Sequence, residues 1–224
     1  MRLRIRAACP EKMLALKDER SYMLLMARPR RNEHIQKRLL DLGVEIFSRQ
    51  GYHGTGIKEI VDAAGIPKGS FYNYFNSKED FAAEVIRHYA DSYWREWSSY
   101  FEDCPGEDIL TALRHSFERM ISKHGESEIK TGCIIGNLAA EICESSSTCR
   151  SVMQSAIFEW RERFAKYIQS AQAEGSVRTD MRAEDLADIF CNAWEGSLLR
   201  MKIENSTEPL KRCVSIMFDT FFKS

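Results

Sequence analysis

Proline and glycine are scarce, 5 and 12 in 224 residues, too few for the many tight turns of an all-β chain. No apolar run approaches the roughly 18 residues of a membrane-spanning helix, so no membrane association is expected. An excess of charge of one sign is also missing: 32 Lys+Arg stand against 33 Asp+Glu. With 44% hydrophobic and 29% charged residues, extensive disorder is excluded. The seven cysteines (9, 104, 133, 143, 149, 191, 213) include no CxxC pair. The longest apolar stretch near the start, residues 22–27, is too short and too charged in its surroundings for a secretory signal. The chain therefore reads as reduced and cytoplasmic. His34, His53, His88, His115 and His124 fall at no metal-ligand spacing with the cysteines, so neither a zinc site nor another cofactor is expected.

The balanced charge conceals an asymmetry. Residues 1–31 carry nine basic and three acidic side chains, residues 32–80 six and seven, residues 81–224 seventeen and twenty-three. A basic leader on an acidic body fits an anion-binding module joined to something else, or else a solvated tail. Met23 and Met26 are alternative translation starts, so the leader over 1–31 need not be ordered.

What is present is helical period. Ile35, Leu39, Leu42 and Ile46 predict a first helix over about 33–49, stopped at Gly51. Ile57, Ile60, Val61 and Ala64 mark a short second helix, broken by Gly65-Ile66-Pro67. A third runs from about Lys68 to Phe75, and Asn76-Ser77 caps a long fourth that Cys104-Pro105-Gly106 closes. Five more are expected at about 107–123, 132–143, 147–174, 183–203 and 207–222. The fold class is all-α.

Two short helices around a three-residue turn with Gly fit a helix-turn-helix, although a structural hairpin looks similar. The second would expose Lys68, Ser70, Tyr72, Asn73 and Tyr74 to phosphates or base edges. The string from Thr55 to Glu79, above all Lys68-Gly69-Ser70-Phe71-Tyr72-x-Tyr74-Phe75 followed by Ser77-Lys78-Glu79, resembles the DNA-binding signature of the tetracycline-repressor family. The match covers about 33–80. It implies a three-helix DNA-binding domain over 32–80 and a ligand-binding and dimerisation domain over 81–224. It further implies phosphate contacts at Thr55, Tyr74 and Lys78, and groove-facing roles for Lys68, Gly69, Ser70, Tyr72 and Asn73. Tyr72 reads alternatively as partly packed support; Phe71 and Phe75 read as core. Because residues 32–80 are nearly neutral, Arg28, Arg30 and Arg31 are the candidates to supply positive charge beside the DNA.

For the body, the same resemblance implies a four-helix dimer interface. Its candidate stripes are Leu186, Ile189 and Phe190 with Leu210, Val214, Met217, Phe218 and Phe221, which read alternatively as intramolecular core. Pocket candidates are Trp97, Phe117, Met120, Ile134, Asn137, Trp160, Phe164, Tyr167 and Trp194. Cys133 follows Thr131-Gly132 at a predicted helix start, where Thr131 would cap and the helix dipole would lower the thiol pKa; a small buried hydrophobe is the plainer reading. The stretch from Gly132 to Cys143, continuing to Met153, resembles the subgroup of the repressor of N-ethylmaleimide reductase, which implies sensing at Cys133. Cys143 and Cys149 are second-rank candidates as resolving thiols; Lys202 is a candidate nearby cation, and Cys191 and Cys213 read as core.

The expected function is a homodimeric DNA-binding repressor that leaves a palindromic, double-stranded operator on meeting a small molecule or an electrophile. An enzyme is not expected, since Cys133 with His115 or His124 lacks an orienting third group. A cysteine-dependent enzyme or a helical adaptor without DNA binding are the competing readings. In the Arg28→Ala/Arg30→Ala/Arg31→Ala variant, affinity for every DNA sequence should fall alike, and the logarithmic salt slope should flatten by up to about three. An unchanged affinity and slope in salt-dependent gel shifts would remove these arginines from the interface.

Overall fold

The computed structural model describes residues 19–104 and 106–223, with side chains from Glu33 onward. All of the elements described are helical: α1 (Glu19–Gln50), α2 (Ile57–Ala64), α3 (Lys68–Phe71), α4 (Lys78–Glu102), α5 (Ile109–Glu126), α6 (Ile134–Ile142), α7 (Ser147–Glu174), α8 (Ala183–Glu204) and α9 (Glu208–Ile216), the last continued by a π-helical turn over Met217–Phe221. The chain divides into two compact units between Leu39 and Leu40. The first contributes the described N-terminal part of α1, and the core and sites described below lie in the second.

α1 begins earlier than the expected residue 33, at Glu19. Leu24, Leu25, Met26, Ala27 and Arg28 are strong helix formers by local propensity, whereas the amphipathic period on which the expectation rests starts only at Ile35. Cys9 and Pro105 lie outside the described residues. Arg28, Arg30 and Arg31 fall within α1 by backbone, and their side chains lie outside the described ones.

The ends of the helices follow local chemistry. Gly65 ends α2 in the left-handed region at φ 64°, and the Ile66 amide returns to the Val61 carbonyl at 3.0 Å, the reverse turn that glycine permits. Ser77 caps α4 by accepting from the Asp80 amide, with Glu79 and Asp80 in the first turn, where carboxylates complement the helix dipole. Asp108 and Ser146 cap α5 and α7 in the same way. α3 is shorter than the expected 68–75. Beyond Phe71 the chain continues to Phe75 as hydrogen-bonded turns.

α4 carries two cores. At its N-terminal end Phe81, Ala82, Ala83, Val85 and Ile86 are fully buried. Phe81 there gathers Phe47 of α1, Phe71 of α3 and Phe75, with ring centroids 5.7, 5.4 and 4.8 Å away. A side chain at Gly43 would run into Val85 and Phe81, so the absent Cβ lets α1 and α4 touch. At the other end Trp97 stacks on Phe101 and meets Phe117 and Phe164. Phe117, Phe164, Phe190, Phe218 and Phe222 then form one continuous aromatic cluster among α5, α7, α8 and the π-helical turn. Such pairs add about 0.5–1.5 kcal/mol each beyond their burial.

That cluster redirects two expectations. Leu186, Phe190, Leu210, Val214 and Phe218 of the expected dimer stripes are buried inside this chain, because the periodic faces of α8 and α9 fill its own core. Of those stripes, Ile189 is exposed and Met217 and Phe221 are half-buried. Exposed apolar side chains instead include Leu199 and Ile203 of α8 and Ile216 of α9. Trp97, Phe117, Phe164 and Ile134, expected to line a pocket, are likewise enclosed at 0% exposure.

Phe81→Ala should cost about 3–5 kcal/mol, the range for emptying an aromatic site in a packed core. A urea midpoint unchanged from wild type would show that the junction of the two cores does not depend on this ring.

Candidate DNA-reading head and effector cavity

α3 and the turns that follow it are held by their buried side, Phe71 and Phe75, and present Lys68, Gly69, Tyr72 and Asn73 to solvent. Tyr72 is 51% exposed although its ring packs edge-on against Phe71, so it is supported at its base and open at its tip. Nothing lies within 4 Å of where a Gly69 Cβ would be, which leaves the backbone there free for close approach. Ser70 and Tyr74 are half-buried.

Two of the expected phosphate contacts are engaged within the chain. Thr55 is 2% exposed, and its hydroxyl donates to the Gly51 carbonyl at 2.7 Å. The residue capping α2 is Gly56, with no side-chain hydrogen bond, so Thr55 buttresses the loop before the helix. Lys78 Nζ donates to the Tyr52 carbonyl at 2.6 Å and sits 4.1 Å over the Tyr52 ring. Partial burial lowers its pKa, with Glu141 opposing. Lys58, exposed on α2 and paired with Asp62 at 2.7 Å, is a cation of this region that sequence reasoning passed over.

The same loop is gripped from the body. The His53 amide donates to Glu141 Oε2 at 2.9 Å, and His53 Nε2 lies 3.3 Å from the Glu141 carbonyl. Gly51 adopts φ 73°, and the Glu141 carboxylate occupies the space its Cβ would need. Ser146 and Glu79 add a hydrogen bond between the cap of α7 and the first turn of α4. None of these links has a sequence signature, because the partners are 67 to 90 residues apart.

Glu141 is near the C-terminal end of α6, and Cys133 is at the other end. Cys133 is the N-cap residue of α6 and makes no side-chain capping bond; Thr131, the expected cap, instead accepts from Asn137 Nδ2 through its carbonyl at 2.8 Å. Gly132 turns the chain into α6 at φ 71°, with Leu198 and Lys202 of α8 close by. Lys202 Nζ donates to Asn137 Oδ1 at 3.0 Å, so the cation is engaged beside the thiol's helix turn.

Cys133 opens onto a cavity of about 200 Å³ among α4, α6, α7 and α8. Its lining includes Tyr89, Tyr93, Ile135, Gly136, Ile157, Trp160, Arg161, Cys191, Trp194, Glu195 and Leu198. Of the expected pocket residues, Trp160 and Trp194 are here. Asn137 lines an adjoining groove of about 670 Å³ that runs from Cys133 and Glu195 to Gly51 and Glu141. Met120 borders a separate cleft, and Tyr167 packs on Phe101. The expectation missed Tyr89, Tyr93, Cys191 and Glu195. Their only signal was spacing by four on α4 and on α8, which a core face shares.

The electrostatics around Cys133 reverse the expectation of a lowered pKa. Withdrawal from water and the Glu195 carboxylate push the thiol up to about 12, against a smaller lowering by the Gly136 and Ile135 amides. Glu195 keeps an edge exposed to solvent and Cys133 is half-buried; partial withdrawal from water raises the Glu195 carboxyl as well, offset in part by its interaction with Cys133. A Cβ at Gly136 would collide with Glu195 Oε1, so the carboxylate rests directly on the first turn of α6. Cys191, expected in the core, shares this cavity and is also pushed up to about 12, first by burial. Cys143 is the C-cap of α6, about 15 Å from Cys133 at 1.5 Å rise per residue. Cys149 is buried beside Glu79 at that same far end. A disulfide needs Cα atoms within about 7 Å, so neither is placed to resolve Cys133 while α6 is intact.

Among the described residues every element is helical, with a supported reading helix on one core and a cavity beside the other, the architecture of a helix-turn-helix regulator of transcription. Residues 39–85 match the model described as bacterial regulatory proteins of the tetR family, and residues 106–217 match the tetracyclin repressor-like C-terminal domain. The chain belongs to the TetR family. It is 34% identical to the HTH-type transcriptional repressor DhaR of Mycobacterium sp. (strain GP1), over 85% of this chain and 93% of that one. Against the HTH-type transcriptional repressor NemR of Escherichia coli it is 27% identical, over 82% of this chain and 94% of that one. The crystal structure of a regulatory protein TetR from Rhodobacter sphaeroides superposes with a TM-score of 0.75 at 31% identity, covering 82% of this chain and 96% of that one. Among the described residues no helix is long and apolar enough to cross a membrane.

Asn73→Ala should weaken operator binding by about 1–3 kcal/mol while leaving binding to unrelated DNA nearly unchanged, the pattern of a lost base-edge contact. Equal weakening on operator and unrelated DNA would make Asn73 a backbone contact instead.

Proposed function

We propose that the chain is a cytoplasmic, non-enzymatic repressor that holds a palindromic operator as a homodimer and leaves it when a small electrophile reacts at Cys133. The supporting observation is the course of α6: Cys133 and the cavity lie at one end, and Glu141, which grips the loop before α2, lies at the other. A molecule added at Cys133 displaces the first turn of α6 from α8. The nine-residue helix carries that displacement to Gly51 and His53. The two reading heads then no longer match their half-sites, which shifts the population away from DNA. Coupling of this kind is typically about 1–3 kcal/mol, five- to 150-fold in affinity.

Two heads are needed because one helix-turn-helix reads one half-site. Leu199, Ile203 and Ile216, exposed on α8 and α9, offer the apolar area for pairing.

A second reading is a reversible ligand, favoured by the protonated state of the thiol and by the hydroxyls of Tyr89 and Tyr93 in the cavity. Cys133→Ser separates the two. N-Ethylmaleimide should release wild type from operator DNA in a gel shift and leave the serine variant bound. Equal release of both would exclude Cys133 as the sensor, and release of both by one non-reactive compound would establish the reversible reading.

A further inference from the structure

A thiol held near pKa 12 is a poor nucleophile at neutral pH, because the thiolate is the reacting species. Among the described residues no cation compensates. Lys202 is bonded to Asn137, and Arg161 on the cavity wall is ion-paired with Asp188 at 2.8 Å. What faces the thiol is a carboxylate. Glu195 rests against Gly136 in the first turn of α6, which Cys133 caps; its carboxylate lines the same cavity and pushes the thiol up. The other groups around that carboxylate are Tyr89 and Tyr93 of α4 and Cys191, one turn before it on α8. All three are kept protonated by burial.

Resting on the reading of Cys133 as the sensor, we propose that Glu195 takes the Cys133 proton as the thiol adds to small, uncharged α,β-unsaturated carbonyl compounds in the cavity, and that its charge turns anionic ones away. The Sγ lone pair forms the bond to the β-carbon while the Sγ proton passes to a Glu195 carboxylate oxygen. The π electrons move to the carbonyl oxygen, and the resulting enolate takes the proton back from Glu195 at the α-carbon. Nothing leaves, and no oxidant takes part. Tyr93 accepts from Trp194 Nε1 at 3.2 Å, which leaves its own O–H to donate to the developing oxyanion, the arrangement that stabilises charge as it forms. A proton acceptor within hydrogen-bond distance contributes about 10²–10⁴-fold.

The two roles open to Glu195 have opposite signs. A carboxylate acting only through its charge opposes the thiolate, so removing it would speed the reaction; one that accepts the proton slows it when removed. In the full chain, labelling of Cys133 by N-ethylmaleimide is followed by peptide mass spectrometry between pH 6 and 9. Wild type should be nearly level with pH once Glu195 is ionised. Glu195→Gln should be about 100-fold slower at pH 7 and rise tenfold per pH unit. Relative to glutathione, wild type should prefer N-ethylmaleimide over 3-maleimidopropionate by about tenfold, the equivalent of 1.4 kcal/mol, and Glu195→Gln should lose that preference. Glu195→Asp, which keeps the charge but draws it back one methylene, should be slow yet still reject the anion. It decides the matter together with the wild-type profile if the glutamine variant fails to fold. Equal or faster labelling of a folded Glu195→Gln, or a wild-type rate rising tenfold per unit throughout, overturns the role of Glu195 alone. If wild-type Cys133 takes no label, the sensing reading fails and this inference with it.

Discussion

The fold depends on a single helix serving two hydrophobic cores. α4 places Phe81 under the reading head and Trp97 in the body, about 24 Å apart along the axis at 1.5 Å per residue. Close-packed cores are stiff and transmit displacement instead of absorbing it. α4 thereby ties the reading head to the body, and Gly43, by admitting Phe81 and Val85 against α1, lets the two helices meet directly. Polar connections between head and body include those from Glu141 to His53, from Ser146 to Glu79 and from Cys149 Sγ to the Glu79 carbonyl. Packed apolar contacts hold one side of the junction, and exchangeable hydrogen bonds hold the other.

That division suits a regulator. Hydrogen bonds at a solvated junction are worth about 0.5–1.5 kcal/mol net, within the reach of a bound molecule. The cavity lies beside the polar side, since its groove leads from Cys133 along α6 to Glu141. The reading head contributes little charge of its own: Lys78 is turned to the Tyr52 carbonyl and Lys58 to Asp62.

Helix existence and the reading motif were legible in the sequence because they rest on local chemistry. Gly65 with Pro67, Ser77 with Asp80, and the period of Ile57, Ile60, Val61 and Ala64 act within a few residues of chain. The faces of helices were less legible. α8 and α9 show apolar stripes, and periodicity does not say whether Phe190 or Phe218 meets its own chain or another copy. The effector cavity was least legible of all. It is a void left where four helices meet, and the pairing of Cys133 with Glu195 joins positions 62 residues apart. Local reasoning even gave the wrong sign for the thiol, since the dipole of a nine-residue helix is outweighed by desolvation and a carboxylate that arrives from α8.

The contact between Gly51 and Glu141 bears on how such regulators can be rebuilt. The family boundary in sequence falls between residues 85 and 106, and a designer exchanging reading heads between relatives would cut there. The physical seam is elsewhere, since the carboxylate of Glu141 fills the space of a missing Cβ in the head. A transplanted head with any side chain at the position of Gly51 would meet that carboxylate and sit askew. Modular exchange in this chain therefore has to move residue 141 together with residues 40–85.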